Sequence, residues 1–112
     1  MSEVAAPATI PRTMERDLIA LFEQWPEVER VWIFGSHARG DAHARSDVDL
    51  AVDAPRMDER GFADLVRALE GLLFVRKVDL VHWQAIEDPA FRRAIEVERR
   101  ILWQREGVKG TP

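Results

Sequence analysis

The sequence GSHARGDAHARSDVDL, residues 35–50, lies between a short apolar run and an alternating one. Upstream, VWIF at residues 31–34 joins β-branched and aromatic residues and ends at a glycine, which predicts a strand buried on both faces. Downstream, DVDLAV at residues 47–52 alternates with period two, which predicts a second strand with its two aspartates on one face. The stretch therefore predicts two strands, a glycine–serine turn after the first, and two carboxylates pointing the same way.

The aspartates and the turn have complementary chemistry. On a strand, the Cα atoms of Asp47 and Asp49 would be about 6.6 Å apart, so their side chains can converge on a small cation. Mg²⁺ suits such a pair, because it takes oxygen ligands at about 2.1 Å and completes its shell with waters and substrate phosphates. Gly35 allows a ligand to approach the backbone closely, and Ser36 at a helix start would direct N–H groups at an anion. The pattern favours a phosphate that shares a cation with the aspartates.

These residues also carry a family resemblance. Gly35-Ser36, followed after ten residues by Asp47-x-Asp49, is similar to the signature of the polymerase-beta-like nucleotidyltransferase superfamily. The fuller pattern GSxARGxxxxxSDxDL resembles the minimal nucleotidyltransferase (MNT) branch, the small partners of HEPN proteins in bacterial and archaeal toxin–antitoxin pairs. The match extends from about Val31 to Trp83. Joined at this spacing, with strand patterns on both sides, the motifs form a specific signal.

The resemblance implies an active site. Asp47, Asp49 and Asp79 would be the catalytic residues and would ligate two Mg²⁺ ions, with ATP as the substrate. Asp79, which stands among apolar neighbours in the third strand pattern, would also receive the proton of the acceptor hydroxyl. The resemblance further implies nucleotide-binding roles for Gly35, Ser36, Arg39 and Ser46.

The acidic residues also have alternative interpretations that involve no catalytic metal site. A lone Asp-x-Asp is more often a cap or surface turn, but the glycine–serine pair at the right distance and the downstream Asp79 favour the metal site. Asp53 shares the face of the pair but lies too far along the strand to share an ion, so we expect a turn residue. An EF-hand does not fit, because His43 and Arg45 stand where its loop needs ligands.

The basic residues between Gly35 and Leu50, together with His82, do not by themselves indicate a function. Arg39 and Arg45 are equally compatible with a phosphate contact and with a solvated loop charge. His37, His43 and His82 have no ligand spacing among them, so we expect them to be structural or exposed.

Composition bounds the class of protein. The chain has 112 residues, a net charge of −4 and no cysteine, which excludes disulfides, thiolate zinc sites and cysteine nucleophiles. No basic field is present to hold an extended nucleic acid, and no apolar run approaches the roughly 20 residues of a membrane span. We expect a cytoplasmic protein without a membrane partner.

The remaining periodicities complete a fold prediction. The fold class is α+β, a small mixed sheet of three to four strands packed by helices, mostly on one face, and the resemblance implies a nucleotidyltransferase fold. Residues 12–106 are expected to form one domain, with flexible ends at 1–11 and 107–112. Beyond the two strands above, the predicted elements are helices at 13–24, 36–39, 58–73 and from 88, a strand at 77–83 and an edge strand within 100–105.

Three functions follow from the residues and the resemblance. The first is a Mg²⁺-dependent nucleotidyltransferase that acts as an antitoxin by transferring AMP from ATP to a hydroxyl side chain of a HEPN-type toxin. The second is a non-catalytic module that masks its partner by contact. The third, modification of a small molecule or a tRNA end, is disfavoured by the lack of a basic groove. The nucleotide specificity, the modified residue and the oligomeric state, homodimer or hetero-oligomer, stay open.

Overall fold

A computed structural model describes residues 10–40, 47–74 and 76–108 of the chain. Helices and strands alternate along most of these residues, and a single 3₁₀ turn follows the third strand. The elements are α1 (Arg12–Glu23), β1 (Arg30–Phe34), α2 (Ser36–Arg39), β2 (Val48–Asp53), α3 (Glu59–Glu70), β3 (Val78–His82), the 3₁₀ turn (Trp83–Ala85), α4 (Pro89–Glu98) and β4 (Arg100–Gln104).

The four strands form one mixed sheet in the order β3-β2-β1-β4. β1 is antiparallel to both of its neighbours, whereas β2 and β3 are parallel and are joined through α3. A parallel pair needs such a crossover, because a tight turn can only reverse the chain. The predicted α+β class with a small mixed sheet is confirmed, and the apolar segment after α4 is the fourth strand, at the edge beside β1.

Helices cover both faces of the sheet. The alternate residues Val31, Ile33 and Leu50 join α1 and α3 in the larger core. On the opposite face, Trp32, Phe34 and Ala51 pack with Trp83 and with Ile95 of α4. α1 and α3 therefore lie on one face, as expected for most of the helices, and α4 lies on the other. Both faces of β1 are apolar, so its own pattern could not say which face α4 would cover.

Local capping explains where the helices start. Asp58 Oδ1 accepts a hydrogen bond from the Gly61 N–H at 2.7 Å at the start of α3. Asp88 caps α4, with Pro89 in the first turn as the sequence predicts. α1 differs, because it begins at Arg12 after Pro11 and without a side-chain cap. Within the described part of the chain, no helix is long and apolar enough to cross a membrane.

Candidate active site

The register between β2 and β3 brings two of the predicted aspartates together. Asp49 and Asp79 are direct partners in the parallel pairing. Neighbouring strands lie about 4.8 Å apart, and partners in register project from the same face, so the two carboxylates are neighbours. Asp47 is exposed and lies one residue before β2 begins. β3 is an edge strand, which leaves Asp79 accessible from the side of the sheet.

The turn after β1 lies directly against this pair. Gly35 has φ 76° and ψ −152°, a backbone conformation that only glycine adopts readily. A Cβ atom at Gly35 would lie 2.6 Å from Oδ2 of Asp49, which is closer than any real carbon–oxygen contact. The turn therefore requires glycine for two reasons. Ser36 follows at once as the first residue of α2, so it also lies at this end of the sheet.

Charges at the site are not balanced around Asp49. Burial raises the pKa of Asp49, and the nearby carboxylates of Asp79 and Asp47 raise it further. His37 acts in the opposite direction on this pKa, and Glu98 adds a smaller repulsion. Like charges that repel one another at a partly buried position favour the binding of a cation.

Lys77 partly compensates the third aspartate. Its Nζ lies 3.6 Å from Oδ1 of Asp79, and both side chains are largely exposed, at 69% and 44%. Exposed pairs of this kind contribute between nothing and about 1 kcal/mol, so the lysine can move aside at little cost.

The donor set fits a hard divalent cation. The acidic groups close enough to act on Asp49 are Asp79, Asp47 and Glu98. Their carboxylate oxygens are the kind of ligand that Mg²⁺ prefers. In residues 10–40, 47–74 and 76–108, no three Asp, Glu or His side chains already form a ready-made metal site. Small rotations of exposed carboxylates, such as that of Asp47, would be needed to close a coordination shell around an ion.

One acidic residue at the site was missed in the sequence. Glu98, the last residue of α4, accepts a hydrogen bond from the Gly35 N–H at 2.8 Å and pairs with Arg39 at 3.3 Å. The available signal was an acid that follows Phe91 and Ile95 along the apolar stripe of α4. Arg39, predicted to bind nucleotide, therefore lies at the turn in contact with this glutamate.

Several other motif residues have structural roles. Asp53 is bound to Arg30, with Nε and Oδ2 2.9 Å apart, and accepts a hydrogen bond from Gln84 at 2.6 Å. His82 Nε2 lies 2.9 Å from the Ala54 carbonyl oxygen, so its ring is held by the backbone. His37 is 2% exposed and lies near Asp49. Ser46, His43 and Arg45 lie outside the described residues, so their predicted roles stay predictions.

The chain is similar to known nucleotidyltransferases and to named relatives. The family described as "Polymerase beta, Nucleotidyltransferase" matches residues 16–107. A curated relative from Methanocaldococcus jannaschii, named "Putative protein adenylyltransferase MJ1379", is 31% identical over 72 residues, which are 62% of this chain and 72% of the relative. A second relative from that organism, with the same description and the designation MJ0128, is 38% identical over 71 residues, 62% of this chain and 71% of the relative.

Solved structures share the fold. A structure described as a "putative minimal nucleotidyltransferase" is 33% identical, with a TM-score of 0.60 over 80% of this chain and 89% of that one. A toxin–antitoxin crystallised with AMP-PNP is 26% identical, with a TM-score of 0.65 over 82% of this chain and 74% of that one. The family match covers most of the described sheet and its helices, and the chain belongs to the polymerase beta nucleotidyltransferase family.

Proposed function

We propose that the chain is a Mg²⁺-dependent protein adenylyltransferase that moves AMP from ATP to a hydroxyl side chain of a HEPN-type toxin and so neutralises it. The observation that carries the proposal is the pairing of Asp49 with Asp79 in register, with the Gly35 turn against Asp49. The names of the curated relatives support protein adenylylation, and the toxin–antitoxin crystallised with AMP-PNP supports the nucleotide and the partner.

The aspartates would serve as metal ligands. Asp47, Asp49 and Asp79 would hold two Mg²⁺ ions, which when bound stabilise the charge on the attacking and leaving oxygens. Burial is the largest cause of the raised pKa of Asp49, and repulsion from Asp79 and Asp47 adds to it; cations shared by the three carboxylates would relieve that repulsion.

The turn would hold the triphosphate. Gly35 allows the phosphates to approach the backbone, and its own N–H is already donated to Glu98. Ser36 offers a hydroxyl group and a backbone N–H at the start of α2. The side chain of Arg39 is 48% exposed, so its guanidinium can donate hydrogen bonds to a phosphate while it stays beside the glutamate.

Asp79 would act on the acceptor. Its side chain is 44% exposed on an edge strand, where a hydroxyl group of a partner protein can reach it. In the transfer, the acceptor oxygen bonds to the α-phosphorus, the bond to pyrophosphate breaks, and the hydroxyl proton passes to the Asp79 carboxylate. The products are the AMP ester of the partner and pyrophosphate.

The test is transfer of AMP to a copurified HEPN-domain toxin, followed by intact mass. With ATP and Mg²⁺, the toxin should gain the mass of one or more AMP units. In the Asp47→Asn/Asp49→Asn double variant the transfer rate should fall by more than about 100-fold, since even outer partners of metal ligands cost 10–100-fold. Asp53→Asn is the matched control from the same strand and face, and it should transfer normally per folded molecule.

The outcomes separate catalysis from contact. Normal transfer by the double variant would reject the proposal. Neutralisation that persists in a variant without transfer would instead indicate a module that masks its partner by contact alone.

A further inference from the structure

Glu98 joins the last helix to the turn of the active site. Its Oε1 accepts the Gly35 N–H at 2.8 Å, and its Oε2 lies 3.3 Å from Nη1 of Arg39. One carboxylate therefore contacts both the backbone of the turn and the arginine that follows it. The glutamate side chain is 24% exposed, so these contacts are only partly screened by water.

The position of Glu98 is itself well determined. Ile95, one turn earlier in α4, is 1% exposed and packs in the core of the second face. Just after the helix, Arg100 Nε donates to the Ala38 carbonyl oxygen at 3.0 Å. The junction of α4 and β4 thus holds the segment from Gly35 to Arg39 through Glu98, at Gly35 and Arg39, and through Arg100, at Ala38.

The charge of Glu98 carries a cost at this place. It lies close enough to repel the Asp49 carboxylate, and it would also repel a bound triphosphate. The amide oxygen of a neutral glutamine could also accept the Gly35 N–H, although more weakly than a carboxylate, so the contact with the turn alone does not require a charge. What the charge adds is the ion pair with Arg39, which keeps the guanidinium beside the turn.

We propose that Glu98 is a positioning residue for the transfer reaction: it fixes the Gly35 turn against Asp49 and holds Arg39 beside it, so that both are in place when the triphosphate binds. The inference rests on the proposed function, because it assigns the turn and Arg39 to the phosphates. The opposite role is a carboxylate that occupies the site of a phosphate and must be displaced by the nucleotide. The two roles predict changes of opposite sign in nucleotide affinity.

The experiment measures binding of ATP with Mg²⁺ by calorimetry, without an acceptor. Glu98→Ala removes both contacts and should weaken binding about tenfold, which corresponds to the loss of about one charge-assisted hydrogen bond. Glu98→Gln keeps an acceptor for the Gly35 N–H and loses only the ion pair, so it should weaken binding less, about threefold. Glu96→Gln changes an exposed glutamate of the same helix and should bind as the unmodified chain does.

Two further readouts distinguish positioning from a general loss of structure. Amide hydrogen exchange at Gly35 should stay slow in Glu98→Gln and become fast in Glu98→Ala, because only the glutamine retains an acceptor for that N–H. In the transfer assay, both variants should raise the KM for ATP more than they lower kcat, and the rise in KM should be smaller for Glu98→Gln than for Glu98→Ala.

Each result bears on the inference. Unchanged or tighter binding of ATP by Glu98→Ala, when the unmodified chain binds, would overturn the role of Glu98 and leave the proposed function standing. Absence of ATP binding by the unmodified chain would reject the proposed function and this role with it.

Discussion

Asp49 and Asp53 lie on the same face of β2 but in opposite electrostatic surroundings. Asp53 faces the buried guanidinium of Arg30 at 2.9 Å and accepts a hydrogen bond from Gln84. Asp49 instead has acids for neighbours, and burial together with Asp79 and Asp47 raises its pKa. The protein compensates the Asp53 carboxylate with a buried cation, whereas most of the charges near Asp49 have the same sign as its own. The comparison separates a carboxylate that stabilises the fold from one with a raised pKa, which is more frequent at functional sites.

The largest expected change in the free energy of unfolding comes from substitution of Asp53, the carboxylate paired with Arg30. Asp53→Ala would remove the carboxylate that lies 2.9 Å from Nε of Arg30, whose side chain is only 4% exposed, at the end of β2. Loss of one partner of a buried pair costs about 4 kcal/mol, so we expect the free energy of unfolding to fall by about that amount. Chemical denaturation measures this value, and AMP transfer per folded molecule should be unchanged.

The matched variant at the other carboxylate should behave in the opposite way. Asp49→Ala removes a charge that its neighbours repel, so it should keep or raise the stability while abolishing transfer. Equal destabilisation by the two alanines would contradict the contrast between the two positions.

The next effect concerns the turn that touches Asp49. Gly35→Ala places a Cβ 2.6 Å from Oδ2 of Asp49 at a φ of 76°, so we expect the free energy of unfolding to fall by about 3 kcal/mol from strain and displacement of the carboxylate. Transfer should fall as well, because Asp49 must move. Thermal unfolding and the AMP-transfer assay measure the two effects.

Gly40 provides the control for backbone strain. It has a similar φ of 84°, but among residues 10–40, 47–74 and 76–108 no heavy atom lies within 4 Å of where its Cβ would be. Gly40→Ala should therefore cost only about 1 kcal/mol, from the left-handed backbone alone. If Gly35→Ala and Gly40→Ala lower the free energy of unfolding by the same amount, the contact between the new Cβ and Asp49 contributes nothing to the loss at Gly35.

The smallest expected effect is a pH dependence that separates the two carboxylates. The pKa of folded Asp49 is raised above its ordinary value of 3.8, so the folded chain holds this proton more tightly than the unfolded chain does. The free energy of unfolding should therefore fall as pH rises from 3.8 through the raised pKa, and the loss should be constant above it. Denaturation across this range in EDTA, with Asp49→Asn for comparison, measures the effect.

The variant removes the titrating group. Its stability relative to the unmodified chain should rise with pH through the same interval and then level off. A difference that does not change with pH would show that Asp49 titrates alike in the folded and unfolded chains. In that case burial and the repulsion from Asp79 and Asp47 together would be too weak to shift the pKa of Asp49.

Much of the fold follows from local patterns. The alternation of residues 47–52, the apolar run before Gly35 and the caps at Asp58 and Asp88 all predicted elements that the structure contains. Each of these signals depends on neighbours a few residues apart, which is the range over which backbone geometry and capping act. The helix predicted at 13–24 is α1 at Arg12–Glu23, one residue earlier, because its N-cap Pro11 makes no side-chain hydrogen bond that would mark the start.

Contacts between residues far apart in the sequence could not be predicted from local patterns. The hydrogen bond from Gly35 to Glu98 spans 63 residues, and the pairing of Arg30 with Asp53 depends on the register of β1 against β2. No local period encodes either contact, since strand register is set by how whole faces pack. Sequence alone accordingly could not assign Glu98 to the site or α4 to the second face.

From the sequence itself came the strand period of Asp47 and Asp49, the glycine needed at the turn and the family. The tertiary structure alone decided that Asp79 stands beside Asp49, that Asp53 is neutralised by Arg30, and that Glu98 holds the turn. The physical reason is that residue type and spacing specify local backbone geometry, whereas the surroundings of a charge depend on which distant elements pack against it.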